Sequence, residues 1–335
     1  MVLHFLMNCL RLVFYKLYLN CIGAVYEVKE HVLDRHRSPA IPSDLQGRNV
    51  VITGGSRGIG LEAVRKMLRL NCTVVVGCRS VDQARAALGT EDSSRLRVLP
   101  LDLMKLESVR AFAAEVKQLQ LPLHALVNNA GIMFGPRRQT EDGFEAQLAT
   151  NYVGHFLLSH LLLEDLERGG TPESPARIVN VSSCAHYIGS WMDFDDLNLT
   201  KFYSPEQSYG NSKAAQVMFS QFLDSRLSNL SKVRVIALHP GVVYSDLYSE
   251  VWWTRIFTFF AKFIMKTASE GGDTIVHATL APELNHAQTT GLYLENSQLR
   301  RISSFTSSLE NQSKLWDKTC QMLEISSFGS PAGRS

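Results

Sequence analysis

The sequence predicts an α/β protein: a doubly wound parallel sheet in a single domain, with an N-terminal hydrophobic extension. Three observations predict it. Short apolar runs rich in β-branched residues recur near 49–53, 73–77, 97–101, 124–128, 177–182, 233–238 and 291–294. Helical stretches separate them, clearest over 105–120, 144–168 and 207–229. The first strand leads directly into a glycine-rich turn and then a helix. Alternating strands and helices imply right-handed crossovers and a parallel sheet covered on both faces.

Residues 1–26 come first and are apolar-rich. Arg11 and Lys16 interrupt the run, so it falls short of a clean span of about 20 apolar residues. A membrane anchor is expected here, either spanning or lying in the interface; the plain alternative is an extra helix packed on the domain. Lys29, Arg35 and Arg37 follow in a linker over 27–48 and would place the sheet domain, 49–300, on the cytosolic side. Val50 to Gly60 then reads strand, turn and helix start, with Gly54, Gly58 and Gly60 spaced G-x-x-x-G-x-G. Such a turn lets backbone approach a pyrophosphate, and the helix N-terminus supplies N–H groups. The bland reading is a glycine turn without a ligand.

Two later segments fall on the same rim. Leu126 to Gly131 (L-V-N-N-A-G) and Arg177 to Ser183 (R-I-V-N-V-S-S) both end apolar strands. Ligands of open α/β sheets bind outside the carboxyl ends of strands. Tyr209 and Lys213 lie four residues apart, hence on one helix face. An ammonium beside a phenol favours the phenolate and lowers its pKa toward the working range. Residues 252–266 project Arg255, Lys262 and Lys266 opposite Trp252, Ile256, Phe260, Phe263 and Ile264, the pattern of an interfacial helix; a helix packing its aromatics on the core is the alternative. The end, 301–335, reads as a C-terminal extension with a frayed, disordered tail from Ser326.

Together Thr53-Gly54-x-x-x-Gly58-x-Gly60, Asn128-Asn129-Ala130-Gly131, Asn151, Ser183, Tyr209-x-x-x-Lys213 and Pro240-Gly241 resemble the short-chain dehydrogenase/reductases over roughly residues 45–300. Arg79 and the long insert between Ser183 and Tyr209 are similar to the retinol dehydrogenase branch. The resemblance implies Asn151, Ser183, Tyr209 and Lys213 as catalytic residues. It implies a dinucleotide held by Gly54, Ser56, Arg57, Gly58, Ile59, Gly60, Arg79, Asp102, Leu103, Asn128, Ala130, Gly131, Tyr209, Lys213, Pro240, Gly241, Val243 and Ser245. Ser182 is the rival of Ser183. Cys78-Arg79 carries no carboxylate where one would hold the 2′-hydroxyl of NAD, and Arg57 adds a second positive charge. NADP(H) is therefore expected over NAD(H), which stays open. The segment 250–266 would form a lid over the substrate, and dimers would form through helices 144–168 and 207–229.

Composition excludes other classes. A formal net charge of +2 on 335 residues leaves no nucleic-acid footprint. Six scattered cysteines without a C-x-x-C pair read as free thiols in a reducing compartment. The histidines are scattered too, so no metal is expected. The resemblance implies as substrate a hydrophobic alcohol and its aldehyde or ketone, polyprenol-type or retinoid, met at the endoplasmic reticulum membrane or a lipid droplet. A steroid or general carbonyl reductase is the enzymatic alternative. A non-catalytic nucleotide-sensing protein is the alternative of another class.

Overall fold

The computed structural model describes residues 2–29, 45–89, 94–227, 231–244, 247, 265–285 and 291–329. A helix α1 (Val2–Lys29) precedes the sheet domain. The strands are β1 (Asn49–Thr53), β2 (Thr73–Cys78), β3 (Leu96–Pro100), β4 (Ala125–Asn128), β5 (Ala176–Val181), β6 (Val233–His239), β7 (Leu292–Glu295) and β8 (Gln298–Leu299). They form one sheet in the order β3-β2-β1-β4-β5-β6-β7-β8. All neighbours pair in parallel except β7 with β8. The seven expected strands are all present, and β8 is an addition that its two residues gave no periodicity to reveal. The chain reverses direction about β1, so the crevice between β1 and β4 is the topological switch point.

Period-2 alternation along the strands builds two cores. Val51, Val75, Leu126, Ile178 and Val235 face one layer. That layer holds α4 (Leu106–Gln118), α6 (Gly154–Gly169) and α7 (Pro205–Arg226). Val50, Ile52, Val74, Val76, Val127, Val179 and Ile236 face the other, which holds α2 (Gly58–Arg69), α3 (Val81–Leu88) and α8 (Ala268–Leu280). Both layers are continuous because strands buried on both faces read as unbroken apolar runs. Between β4 and α6 the chain enters a short helix α5 (Ala146–Leu148) and a π turn (Ala149–Val153). Arg177 is 3% exposed in β5. Its guanidinium donates to the carbonyls of Ala278 and Ala281, satisfying the open end of α8.

The C-terminal extension is packed rather than loose. A short helix α9 (Ser304–Ser307) leads into α10 (Leu309–Met322). Trp316 of α10 lies 5.2 Å from the ring of Phe156 and 5.3 Å from that of Phe222. The tail expected to fray from Ser326 is still packed at Phe328, whose ring is 4.8 Å from Trp316. The Gly329 N–H donates to His160 Nδ1 at 2.9 Å. Residues 330–335 lie outside the described residues. Within the chain, Trp316 packs on Phe156 of α6 and on Phe219 and Phe222 of α7.

Among the described residues, no helix is long and apolar enough to cross a membrane. Helix α1 docks by its Tyr15 side on Trp191, and Tyr15 is 8% exposed. Its other side shows Leu6, Leu10, Val13 and Leu17 at 52%, 65%, 54% and 61% exposure. The expected lid over 250–266 lies outside the described residues apart from Met265 and Lys266.

Candidate active site

The glycine turn is built by close approach. Gly54 has φ +72°, and a Cβ there would sit 2.8 Å from Ala130 Cα. At Gly60, in the first turn of α2, a Cβ would sit 2.4 Å from both the Gly54 carbonyl oxygen and Asn129 Nδ2. No side chain fits either place, so helix N-terminus, turn and β4 end stay pressed together. Asn129 ties them, its amide donating to the carbonyls of Thr53 (2.8 Å) and Gly54 (3.1 Å).

Thr53 is the centre of a second tie. Its Oγ1 accepts the N–H groups of Asn129 and Ala130, each at 3.0 Å. Its single proton therefore goes to His155 Nε2, 2.8 Å away. With Nε2 accepting, Nδ1 carries the hydrogen and donates to the Asn151 carbonyl at 3.0 Å. Burial pulls the His155 pKa down to about 3, so the ring stays neutral and this tautomer persists.

Asn151 sits in the π turn and is fully buried. Its side chain brackets the Ile132 backbone, accepting from the N–H at 2.9 Å and donating to the carbonyl at 3.0 Å. It also donates to Ser212 Oγ at 2.8 Å. Ser183 caps the 3₁₀ stretch Cys184–Trp191 after β5, its Oγ accepting from the Ala185 N–H at 3.1 Å. The same hydroxyl lies beside the Tyr209 phenol, close enough to lower its pKa, and both residues line one cleft. Its rival Ser182 donates to the Lys213 carbonyl at 2.8 Å and is committed there. Lys213 Nζ donates to the Val181 carbonyl (2.8 Å) and Gln216 Oε1 (3.0 Å), and lies 5.7 Å from the Tyr209 ring centre.

Burial dominates the electrostatics of this pair. It raises the Tyr209 phenol well above its ordinary value, against a lowering by the Ser183 hydroxyl. It pulls the Lys213 amine down to about 7. The expectation that Lys213 depresses the phenol is therefore not met by the protein alone. The ammonium spends its contacts on a carbonyl and an amide, and both groups lose more by desolvation than they gain from each other.

One cleft at the carboxyl rim is lined by Gly54, Ser56, Arg57, Gly58, Ile59, Gly60, Arg79, Asp102, Leu103, Ala130, Gly131, Ser183, Tyr209, Lys213, Pro240, Gly241 and Val243. Sequence reasoning expected every one of these. Asn128 is the exception. Strand alternation turns it, with Leu126, toward α6, where its amide donates to Ser159 Oγ (3.0 Å) and Asn180 Oδ1 (2.8 Å). It braces two strands and does not line the cleft. Asn151 stands behind the lining rather than in it. Ser245 lies outside the described residues. Asn129 and Thr150 also line the cleft and were missed as site residues, as were Cys78, Leu101, Met104, Ile132 and Cys184; His239, expected near the site from its place before Pro240-Gly241, lines it too. Asn129 and Thr150 fall inside motifs read for their neighbours, so their positions were visible but their orientation was not.

A dinucleotide fits this cleft on the chain's own geometry. The two glycine positions leave room only for backbone beside a phosphate. Asn129 Oδ1 and Thr150 Oγ1 are buried at the rim without a partner among the described residues, and such atoms need one. Asp102 takes a local part as well, its Oδ1 accepting the Met104 N–H at 3.0 Å.

Comparison with known proteins agrees with this geometry. The family model for short chain dehydrogenase matches residues 48–194. Polyprenol dehydrogenase of Homo sapiens is 36% identical over 285 residues, covering 83% of this chain and 86% of that protein. Retinol dehydrogenase 12 of Homo sapiens is 38% identical over 287 residues, covering 84% and 88%. A crystal structure of an uncharacterized protein from Mycobacterium Paratuberculosis superimposes with a TM-score of 0.67 at 30% identity, covering 85% of this chain and 96% of that one. With the glycine turn, Ser183, Tyr209 and Lys213 on one rim, and with relatives of this identity over most of both chains, this chain belongs to the short-chain dehydrogenases, NAD(P)-dependent oxidoreductases acting on CH–OH groups.

Proposed function

We propose that this chain interconverts a long isoprenoid alcohol and its aldehyde, polyprenol-type or retinoid, with NADP(H), at a membrane or lipid-droplet surface of the endoplasmic reticulum. The observation that carries the chemistry is the convergence of the Ser183 hydroxyl, the Tyr209 phenol and buried Lys213 on one cleft at the sheet's carboxyl rim. A bound nicotinamide supplies the hydride in reduction and accepts it in oxidation. Tyr209 gives its proton to the carbonyl oxygen in reduction and takes the hydroxyl proton in oxidation. Ser183 donates a hydrogen bond to the same oxygen and stabilises the charge that develops on it. Lys213 has three donors; two are spent on Val181 and Gln216, and the third serves the cleft. Asn151, fixed by Ile132 and Ser212, holds the backbone at Gly131–Ile132 beside Lys213.

Two arginines support NADP(H). Arg57 and Arg79 line the same cleft, and guanidinium forks match a 2′-phosphate. The names of the polyprenol and retinol relatives support the substrate class. The exposed apolar stripe of α1, Leu6 to Leu17, supports contact with lipid. The test is detergent-solubilised full-length protein incubated with NADPH or NADH against polyprenal, retinal and a steroid ketone. NADPH-dependent reduction of an isoprenoid aldehyde, abolished by Tyr209→Phe with cofactor binding kept, is expected. Turnover of the steroid ketone alone would replace the substrate assignment, and activity retained in Tyr209→Phe would remove the catalytic one.

A further inference from the structure

Helix α1 reaches the reacting end of the cleft. Leu19 packs on the cluster of Met133, Ala185 and Tyr209, although 190 residues separate it from Tyr209. One turn pair further, Tyr26 meets the cleft-lining His239 edge-on, with ring centres 5.4 Å apart. Tyr15, Leu19 and Tyr26 follow i, i+4, i+11 and share one helix face.

A buried carboxylate clasps this face in place. Glu295 ends β7 and is 2% exposed. Tyr26 Oη donates to one of its oxygens at 2.6 Å, and Lys29 Nζ donates to the other at 2.7 Å. Removing either partner would leave a buried charge short of a donor, which is costly. At the other end Trp191 is ringed by Phe14, Tyr15 and Tyr18 at 5.4, 6.4 and 5.3 Å. A bare tether needs neither contact.

We propose that α1 is a wall of the substrate site, and that Leu19 and Tyr26 determine which carbonyl compounds fit beside Tyr209. The inference rests on the isoprenoid reading above. Leu19 touches the phenol's own neighbours, so its volume sets the room around the carbons next to the reacting carbonyl. Tyr26 fixes the depth of α1 through Glu295 and borders the cleft at His239.

The test uses the full-length protein in detergent, NADPH, and two aldehydes: farnesal, branched near the carbonyl, and hexanal, linear. Leu19→Trp overfills the wall and should lower kcat/KM for farnesal by about tenfold or more, and for hexanal by less than about threefold. NADPH affinity, read by fluorescence quenching, should not move. Tyr26→Phe keeps the ring and removes the bond to Glu295; it should raise KM for farnesal with kcat and NADPH affinity unchanged. Equal effects on both aldehydes in Leu19→Trp, or no effect of either variant, would overturn the inference. A wild type that reduces hexanal but no isoprenoid would sink the substrate reading alone. The wall would then be judged by the same variants on hexanal against a bulky steroid ketone.

Discussion

Lys213→Met isolates the energetic cost of the buried amine. In the unfolded chain the amine titrates near its ordinary 10.5, and burial brings it to about 7 in the fold. The unfolded state therefore binds more protons between these values, so stability contributed by this group rises with pH across that window and is lowest at and below about pH 7. Each pH unit is worth about 1.4 kcal/mol, so ~2.7 kcal/mol should appear between about pH 7.5 and 9.5. The whole interval sets a ceiling of ~5 kcal/mol. Methionine keeps the apolar stem and cannot titrate. It also abandons the Val181 carbonyl and Gln216, a loss that does not depend on pH. The assay is urea unfolding of cofactor-free wild type and variant at several pH values, followed by circular dichroism. The wild-type stability minus that of the variant should climb with pH at close to that slope. A difference that stays level, or falls with pH, would refute the account of Lys213 as a group held against its charge by burial.

Three other outcomes follow from the same geometry. Gly60→Ala places a methyl within 2.4 Å of the Gly54 carbonyl oxygen; it should cost ~1–3 kcal/mol of stability and weaken NADPH binding at least about tenfold, checked by thermal unfolding and calorimetry. Arg79→Ala should raise KM for NADPH by about tenfold or more while leaving KM for NADH within a factor of about three, read from initial rates with both cofactors. Because burial holds the Tyr209 phenol protonated, alcohol oxidation should accelerate as pH rises from about 7 to 9 while aldehyde reduction stays nearly level; the two pH–rate profiles decide it.

Much of this was legible in the sequence because the relevant constraints are local. Val50 to Thr53 and Val74 to Val76 read as strands since a sheet buried on both faces demands unbroken β-branched runs. The rim motifs followed from chain order alone. What stayed hidden depends on direction or distance. The two neighbouring asparagines, 128 and 129, look alike as letters, yet the pleat sends one into the sheet and the other to the cleft. His155 gives no sign that it links Thr53 to Asn151, a contact across 102 positions. The spacing of Tyr209 and Lys213 placed them on one face but said nothing of the Val181 carbonyl that draws the ammonium away. Residues 1–26 read as an apolar segment, and only the fold shows that Tyr26 has an appointed partner 269 residues later.

Trp316 and Phe328 bear on how this polypeptide must be handled from either end of its synthesis. Because their rings close over Phe156 and Phe219, the stretch from Phe305 to Phe328 completes one hydrophobic layer. Until it leaves the ribosome, an aromatic patch at the back of the nascent enzyme stays wet. A chain terminated before Phe305 would keep every side chain lining the cleft. It would nonetheless bare the aromatic faces of Phe156 and Phe219, an apolar patch of the kind that drives association.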